Sequence, residues 1–150
     1  MTTRERAMTA EVTPAQGAFG DGRHLFPIRV YYEDTDFSGI VYHANYLRFI
    51  ERARTEMLRE KDIHQGEILG AEKLFFVVAR MNLEFLRPAR MDDLLTVETR
   101  PVKIGAAILE LEQTVRRDDE VLFTARVFIA AVSDGKARRL PREIREKLAP

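Results

Sequence analysis

Two carboxylates, Asp34 and Asp36, stand in the cluster Asp34-Thr35-Asp36-Phe37-Ser38-Gly39, and His43 comes shortly after. The composition of the cluster marks a turn, and Gly39 admits a backbone angle that other residues avoid. His43 falls near the start of a segment with helical spacing, where unpaired backbone N–H groups and the positive end of a helix dipole collect. A carboxylate facing a helix N-terminus suits acyl transfer. The N–H groups polarise a carbonyl oxygen while the carboxylate attacks the carbonyl or activates water. Plainer uses of the same residues stand beside this one. Asp34 and Asp36 are good turn and helix caps. Glu33, Asp34 and Asp36 form an acidic group, but no further metal ligand stands at a recognised spacing. A histidine in this position can simply pack or cap.

The elements that must hold these residues are few. Residues 1–25 are small and polar, with no period, and read as a flexible extension. A strand is expected over 27–33, where Ile28, Val30 and Tyr32 alternate with polar partners. After the turn, Tyr46, Phe49, Ile50, Ala53, Met57 and Leu58 recur at helical spacing over 45–61, with Arg48, Glu51, Arg52, Arg54, Arg59 and Glu60 on the other face. A loop is expected near Gly66 and Gly70. Then come strands: 75–85, closed by Arg87-Pro88-Ala89-Arg90; a short one over 95–100; a long one over 104–115; and a last one over 121–132, reached by a hairpin at 117–120 and broken by Ser133-Asp134-Gly135. Residues 141–148 read as a short helix with proline in its first turn. One long amphipathic helix needs a partner for its apolar stripe. A curved antiparallel sheet of about five strands wrapped around it, an α+β arrangement, is the natural solution. Pairing with a second copy is one way to protect an exposed sheet edge.

Composition narrows the chemistry. The 150 residues suit one domain, read as 26–150, with 45% apolar and 32% charged residues. Lys plus Arg equals Asp plus Glu at 24 each, which argues against a dedicated nucleic-acid binder. The absence of cysteine excludes disulfides, thiolate zinc sites and a cysteine nucleophile. Ser38 and Ser133 are the only serines, and neither lies in a G-x-S-x-G elbow. The longest apolar runs, 74–79 and 127–132, are too short for a membrane span or a signal core, so the expected address is the cytoplasm.

The stretch 31–56 resembles the signature of the 4-hydroxybenzoyl-CoA thioesterase-like hotdog family. It is most like the subgroup encoded with the Tol–Pal cell-envelope system, the YbgC-type acyl-CoA thioesterases. The residues that carry the likeness are Tyr32, Asp34-Thr35-Asp36, Gly39, Val41-Tyr42-His43, Asn45-Tyr46 and Glu51-Arg52-Ala53-Arg54, continued by Phe85-Leu86-Arg87-Pro88-Ala89 and Asp92-Asp93-Leu94-Leu95. The resemblance spans about 27–140. It implies a hotdog fold and a homo-oligomer, a dimer or a dimer of dimers, without metal or cofactor. It implies hydrolysis of acyl-CoA to free acid and CoA. By the same likeness Asp36 is the catalytic carboxylate, as nucleophile or as general base. The His43 backbone N–H is the carbonyl-oxygen donor, with the His43 side chain assisting. Gly39 and Tyr42 position the donor, and Asp34 is structural.

Phe37, Tyr46 and Phe76 are candidates for the acyl slot, beside a plain core reading of each. The tail from Lys136 holds six basic residues against two acidic ones. Arg138, Arg139, Arg142 and Lys147 are candidates for the phosphates of CoA or for an acidic acyl carrier protein, beside the reading of a solvated helix face. The alternative function is a non-hydrolytic hotdog module that binds an acyl group or an acyl carrier protein. Acyl chain length, CoA against carrier-protein thioester, and nucleophile against base stay open.

Overall fold

Five long strands and two short ones make a single antiparallel sheet in this computed structural model, which describes residues 12–149. The strands are β1 Ala18–Gly20, β2 Arg23–Arg29, β3 Phe75–Phe85, β4 Leu94–Ile104, β5 Ile108–Arg117, β6 Glu120–Ser133 and β7 Lys136–Ala137. Their order is β1-β2-β4-β5-β6-β3, with β7 also paired to β6. The helices are α1 Asn45–Glu60, α2 Gln65–Glu72 and α3 Arg142–Leu148. Among the described residues no helix is long and apolar enough to cross a membrane.

The sheet and α1 share one core. Phe49, Ile50, Ala53 and Met57 are almost fully buried, and they meet the inward set of the strands: Phe26 and Ile28, Leu95 and Val97, Leu109 and Leu111, Phe123 and Val127. Full burial of each large side chain is worth ~1.5–3 kcal/mol, which is what holds the helix to the sheet. A polar island interrupts this face. Thr99 and Gln113 are register partners on β4 and β5, both fully buried. The Gln113 amide donates to Thr99 Oγ1 and to the Ile50 carbonyl, each at 2.9 Å, while its Oε1 accepts from Arg54 Nη1 at 3.0 Å. The middle of α1 is thereby pinned by hydrogen bonds as well as by packing.

Several expected boundaries move. The extension read over 1–25 is partly sheet: β1 and the start of β2 form a hairpin around Asp21-Gly22, both at positive φ, the backbone that a two-residue hairpin turn demands. His24 is fully buried there between Phe19 and Phe26, and its Nε2–H donates to the Gln16 carbonyl at 2.9 Å. Residues 1–11 lie outside the described residues. The strand expected over 27–33 ends at Arg29, and Tyr32–Asp34 is a 3-10 turn.

The break placed after residue 100 falls instead at 105–107. β4 runs through Pro101 with a register shift, beyond Thr99 where β2 stops pairing, so no β2 bond is forfeited. Gly105 closes the turn by its small size, for a Cβ there would sit 2.9 Å from the Ile108 carbonyl oxygen that its own N–H bonds at 2.8 Å. The loop expected near Gly66 and Gly70 is α2; half-buried Ile68 packs on the core and offsets the poor helix propensity of two glycines. Asp134-Gly135 does not end the sheet, because both residues take positive φ and turn the chain back into β7.

Candidate active site

The loop between β2 and α1 is closed on itself by backbone hydrogen bonds. The Asp36 N–H donates to the Ile40 carbonyl at 2.9 Å, and the Gly39 N–H donates to the Asp36 carbonyl at 3.0 Å. Gly39 sits at φ +82° in open space, so its role is conformational rather than steric. Thr35 and Val41 then pair as an isolated bridge, and Ile40 pairs with Arg90. Asp34 ties this loop to the helix. Its carbonyl accepts from the Tyr42 N–H at 2.9 Å and from Asn45 Nδ2 at 2.8 Å, and its carboxylate accepts from the Tyr31 N–H at 2.8 Å. A second clamp comes from the segment after β3: the Val41 N–H donates to the Ala89 carbonyl at 2.8 Å, and the Ala89 N–H donates to the Tyr46 hydroxyl at 3.0 Å.

Asp36 is exposed in the loop that precedes α1. Its Oδ1 accepts from the Ser38 hydroxyl at 2.5 Å and from the Ser38 N–H at 2.9 Å. The bond from the Ser38 hydroxyl, and after it that from its N–H, holds the Asp36 carboxyl below the usual carboxylate range; the charge of a protonated His43 acts in the same direction. Asp36 is therefore an anion at neutral pH. At the start of α1 there is no side-chain cap and no acidic residue in the first turn. Among the described residues nothing accepts a hydrogen bond from the N–H groups of His43 and Ala44. The start of one helix thus keeps two free donors, where the dipole favours negative charge, and Asp36 lies in the loop just before it, close enough to feel the charge of His43.

An apolar hollow of about 270 Å³ opens beside them, lined by Ile40, His43, Tyr46, Phe85, Leu86 and Pro88. The His43 ring lies 4.5 Å from Tyr42 and 6.2 Å from Phe85, centroid to centroid; Phe85 in turn meets Tyr46 and Phe123. Of the expected residues, His43 and Tyr46 line the hollow and Tyr42 packs on the His43 ring, while Asp36 and Gly39 are bonded to each other in the loop just before them. Tyr46 is itself core, 3% exposed, and presents only part of its ring to the hollow.

The other expected residues lie elsewhere. Phe37 stands free of its own chain. Phe76 lines a separate cleft of about 210 Å³ between α1 and β3, with Glu51, Arg54, Thr55 and Leu58. Arg138, Arg139, Arg142 and Lys147 lie in or just before α3, which packs beside residues 62–64, past the C-terminal end of α1. At 1.5 Å per residue that is about 24 Å from the head of the helix, so one chain does not bring the tail to Asp36. Two of the four are also engaged: Arg142 with Glu146 at 2.8 Å, and Lys147 with Glu143 at 3.3 Å and with the Asp62 carbonyl at 2.9 Å.

Two residues escape the sequence reading. Ser38 was legible, since an acidic residue with a backbone donor two positions later is the spacing of an Asx turn. Phe85 was not, because strand alternation does not say what stands at the strand's end.

One long helix cradled by a single antiparallel sheet defines a hotdog-type domain. Residues 38–124 match the family model described as thioesterase superfamily, and the chain belongs to that family. The match begins just after Asp36. The chain is 42% identical over 127 residues to a Haemophilus influenzae protein named acyl-CoA thioesterase YbgC, covering 83% of this chain and 93% of the relative. A probable thioesterase from Bartonella henselae, whose crystal structure is known, is 46% identical with a TM-score of 0.77, covering 79% of this chain and 99% of that one. A 4-hydroxybenzoyl-CoA thioesterase, at 19% identity and TM-score 0.81, covering 85% of this chain and 99% of that one, shares the fold.

Proposed function

We propose that this chain is a thioester hydrolase that converts acyl-CoA to free acid and coenzyme A, with Asp36 and the head of α1 as its catalytic centre. The observation that carries the reading is the ionised Asp36 carboxylate in the loop that leads into α1, together with the unbonded N–H groups of His43 and Ala44 at the start of that helix. The name of the Haemophilus relative supplies the substrate class. The thioester carbonyl oxygen accepts from the His43 N–H, and such a donor is worth ~10²–10³ in rate as the oxygen gains charge. Asp36 either attacks the carbonyl carbon, giving a mixed anhydride that water opens, or takes a proton from the water that attacks. In both routes water supplies the oxygen of the new acid, and the thiolate leaves readily and takes up a proton. The apolar hollow beside His43 and Phe85 receives the start of the acyl group. Acyl-CoA is made and used inside the cell, which gives this reading a cytoplasmic address.

Free thiol released from a panel of acyl-CoAs and an acyl-carrier-protein thioester, monitored with a thiol-reactive dye, tests the reading. Turnover of at least one acyl-CoA is expected. No release from any of them would leave a non-hydrolytic acyl-binding module.

The working unit in this proposal is a dimer, or a dimer of dimers. β3 is an edge strand of eleven residues, and Phe75, Val78 and Phe85 on it are 41%, 45% and 52% exposed. A long apolar edge invites pairing with another strand. Two-fold antiparallel pairing of β3 with itself sets the Phe85 end of one copy against the Phe76 end of the other. The Phe76 cleft then completes the slot that starts at His43, and Phe37 gains a surface to cover it. Light scattering should give at least twice the 17.3 kDa of one chain. Val78→Lys should yield monomers and lose turnover with them. A parent protein that stays monomeric at micromolar concentration would refute the assembly.

A further inference from the structure

We propose that Ser38 is a positioning residue for Asp36: its hydroxyl and its backbone N–H together saturate Oδ1 and leave Oδ2 as the one carboxylate oxygen that works on the thioester or on water. This rests on the assignment of Asp36 above, and it adds what selects the working oxygen.

The geometry is asymmetric. Oδ1 accepts at 2.5 Å and 2.9 Å, both times from Ser38, whereas among the described residues Oδ2 accepts no hydrogen bond of ordinary geometry; the Ile40 N–H lies near enough to help hold the carboxylate charged, but less than Ser38 does. The N–H bond alone is an Asx turn, which any residue but proline at position 38 could supply. The hydroxyl bond is specific to a hydroxylated side chain. It is charge-assisted and short, and together with the first it resists rotation of the carboxylate about its Cβ–Cγ bond. The surrounding loop is already closed by the bonds between Asp36, Gly39 and Ile40, so the backbone that carries both partners does not depend on the hydroxyl.

The hydroxyl bond has two effects. With its proton committed to Oδ1, the Ser38 hydroxyl keeps that oxygen occupied. The bond also stabilises the carboxylate over the carboxylic acid, which extends activity toward lower pH; the other charged group acting on Asp36 is His43. The Ser38 hydroxyl thus sets both the geometry and the acidic limit of the site.

The test compares the parent with Ser38→Ala and Ser38→Thr. The readouts are the pH profile of kcat/KM and the Asp36 carboxyl titration by carbon NMR. Ser38→Ala keeps the backbone bond and removes only the hydroxyl. It should move the acidic limb of the profile, and the Asp36 titration with it, up by about 0.5–1 pH unit. It should also lower kcat about three- to tenfold, a fraction of a positioned group's full worth. Ser38→Thr retains the hydroxyl and should restore both. An unmoved limb and titration in Ser38→Ala would overturn the proposal. So would an equal loss at every pH shared by Ser38→Thr, which would make position 38 a turn residue only. Should the parent hydrolyse no acyl-CoA at all, the assignment of Asp36 fails; the NMR titration still decides whether Ser38 holds the carboxylate.

Discussion

Asp36→Asn should leave a folded protein whose kcat/KM for acyl-CoA is at least ~10²-fold below the parent, the lower end of what a positioned acid–base group contributes. Asparagine is nearly isosteric, and its amide oxygen can still accept from both Ser38 donors, so the turn should survive. What disappears is the anion. An amide neither attacks a thioester usefully nor takes a proton from water, so either route stops at its first step. Because Asp36 is exposed and bonds only within its own loop, the melting temperature should stay close to that of the parent. Asp34→Asn is the control. The carbonyl of Asp34, not its carboxylate, carries the bonds to Tyr42 and Asn45, so that variant should keep its rate. Thiol-release kinetics beside thermal melts separate the two, and an Asp36→Asn enzyme close to the parental rate would remove Asp36 from the mechanism.

The largest stability effect should come from Gln113→Leu. Gln113 is fully buried, and its side chain meets three partners: Arg54, Thr99 and the carbonyl of Ile50. Leucine fills a similar volume but satisfies none of them. Arg54 is the costly one. It is 8% exposed, and burial already pulls its guanidinium below the usual arginine range, so a lost acceptor leaves a poorly solvated cation. The expected loss is about 2–4 kcal/mol, since a bond to a charged group and two neutral ones go together. For a chain of this size that is a fall in Tm of roughly 5–15 °C. Gln113→Glu should cost less, because a carboxylate restores an acceptor for Arg54 while forfeiting the two donated bonds. Urea unfolding measures both. A Gln113→Leu protein within about 0.5 kcal/mol of the parent, the range of an ordinary surface substitution, would mean that the buried network contributes little.

The buried network also shows why some features of the chain can be read locally and others cannot. Thr99, Gln113 and Arg54 are ordinary polar letters in their own segments. Only the pairing of β4 with β5, and the docking of α1 across them, makes them one cluster. Nothing local distinguishes Gln113 from an outward-facing glutamine except its place in the strand alternation. Conversely, the apolar stripe of α1 was readable because each turn repeats the same demand for burial, and Phe49, Ile50, Ala53 and Met57 answer it.

The sequence by itself determined the long helix, the antiparallel character of the strands after it, and the turn that holds Asp36. These depend on period, turn chemistry and neighbours within a few residues. It also carried the family, through residues close together in the chain. Only the tertiary structure decided which aromatics meet at the site, that Phe76 and the basic tail lie away from Asp36 within one chain, and that residues 18–25 belong to the sheet. Those outcomes turn on contacts between residues far apart in sequence. Such contacts form only when the sheet's register and the seat of α1 are both set, and no local pattern encodes the distance between two ends of a helix and the strands beneath them.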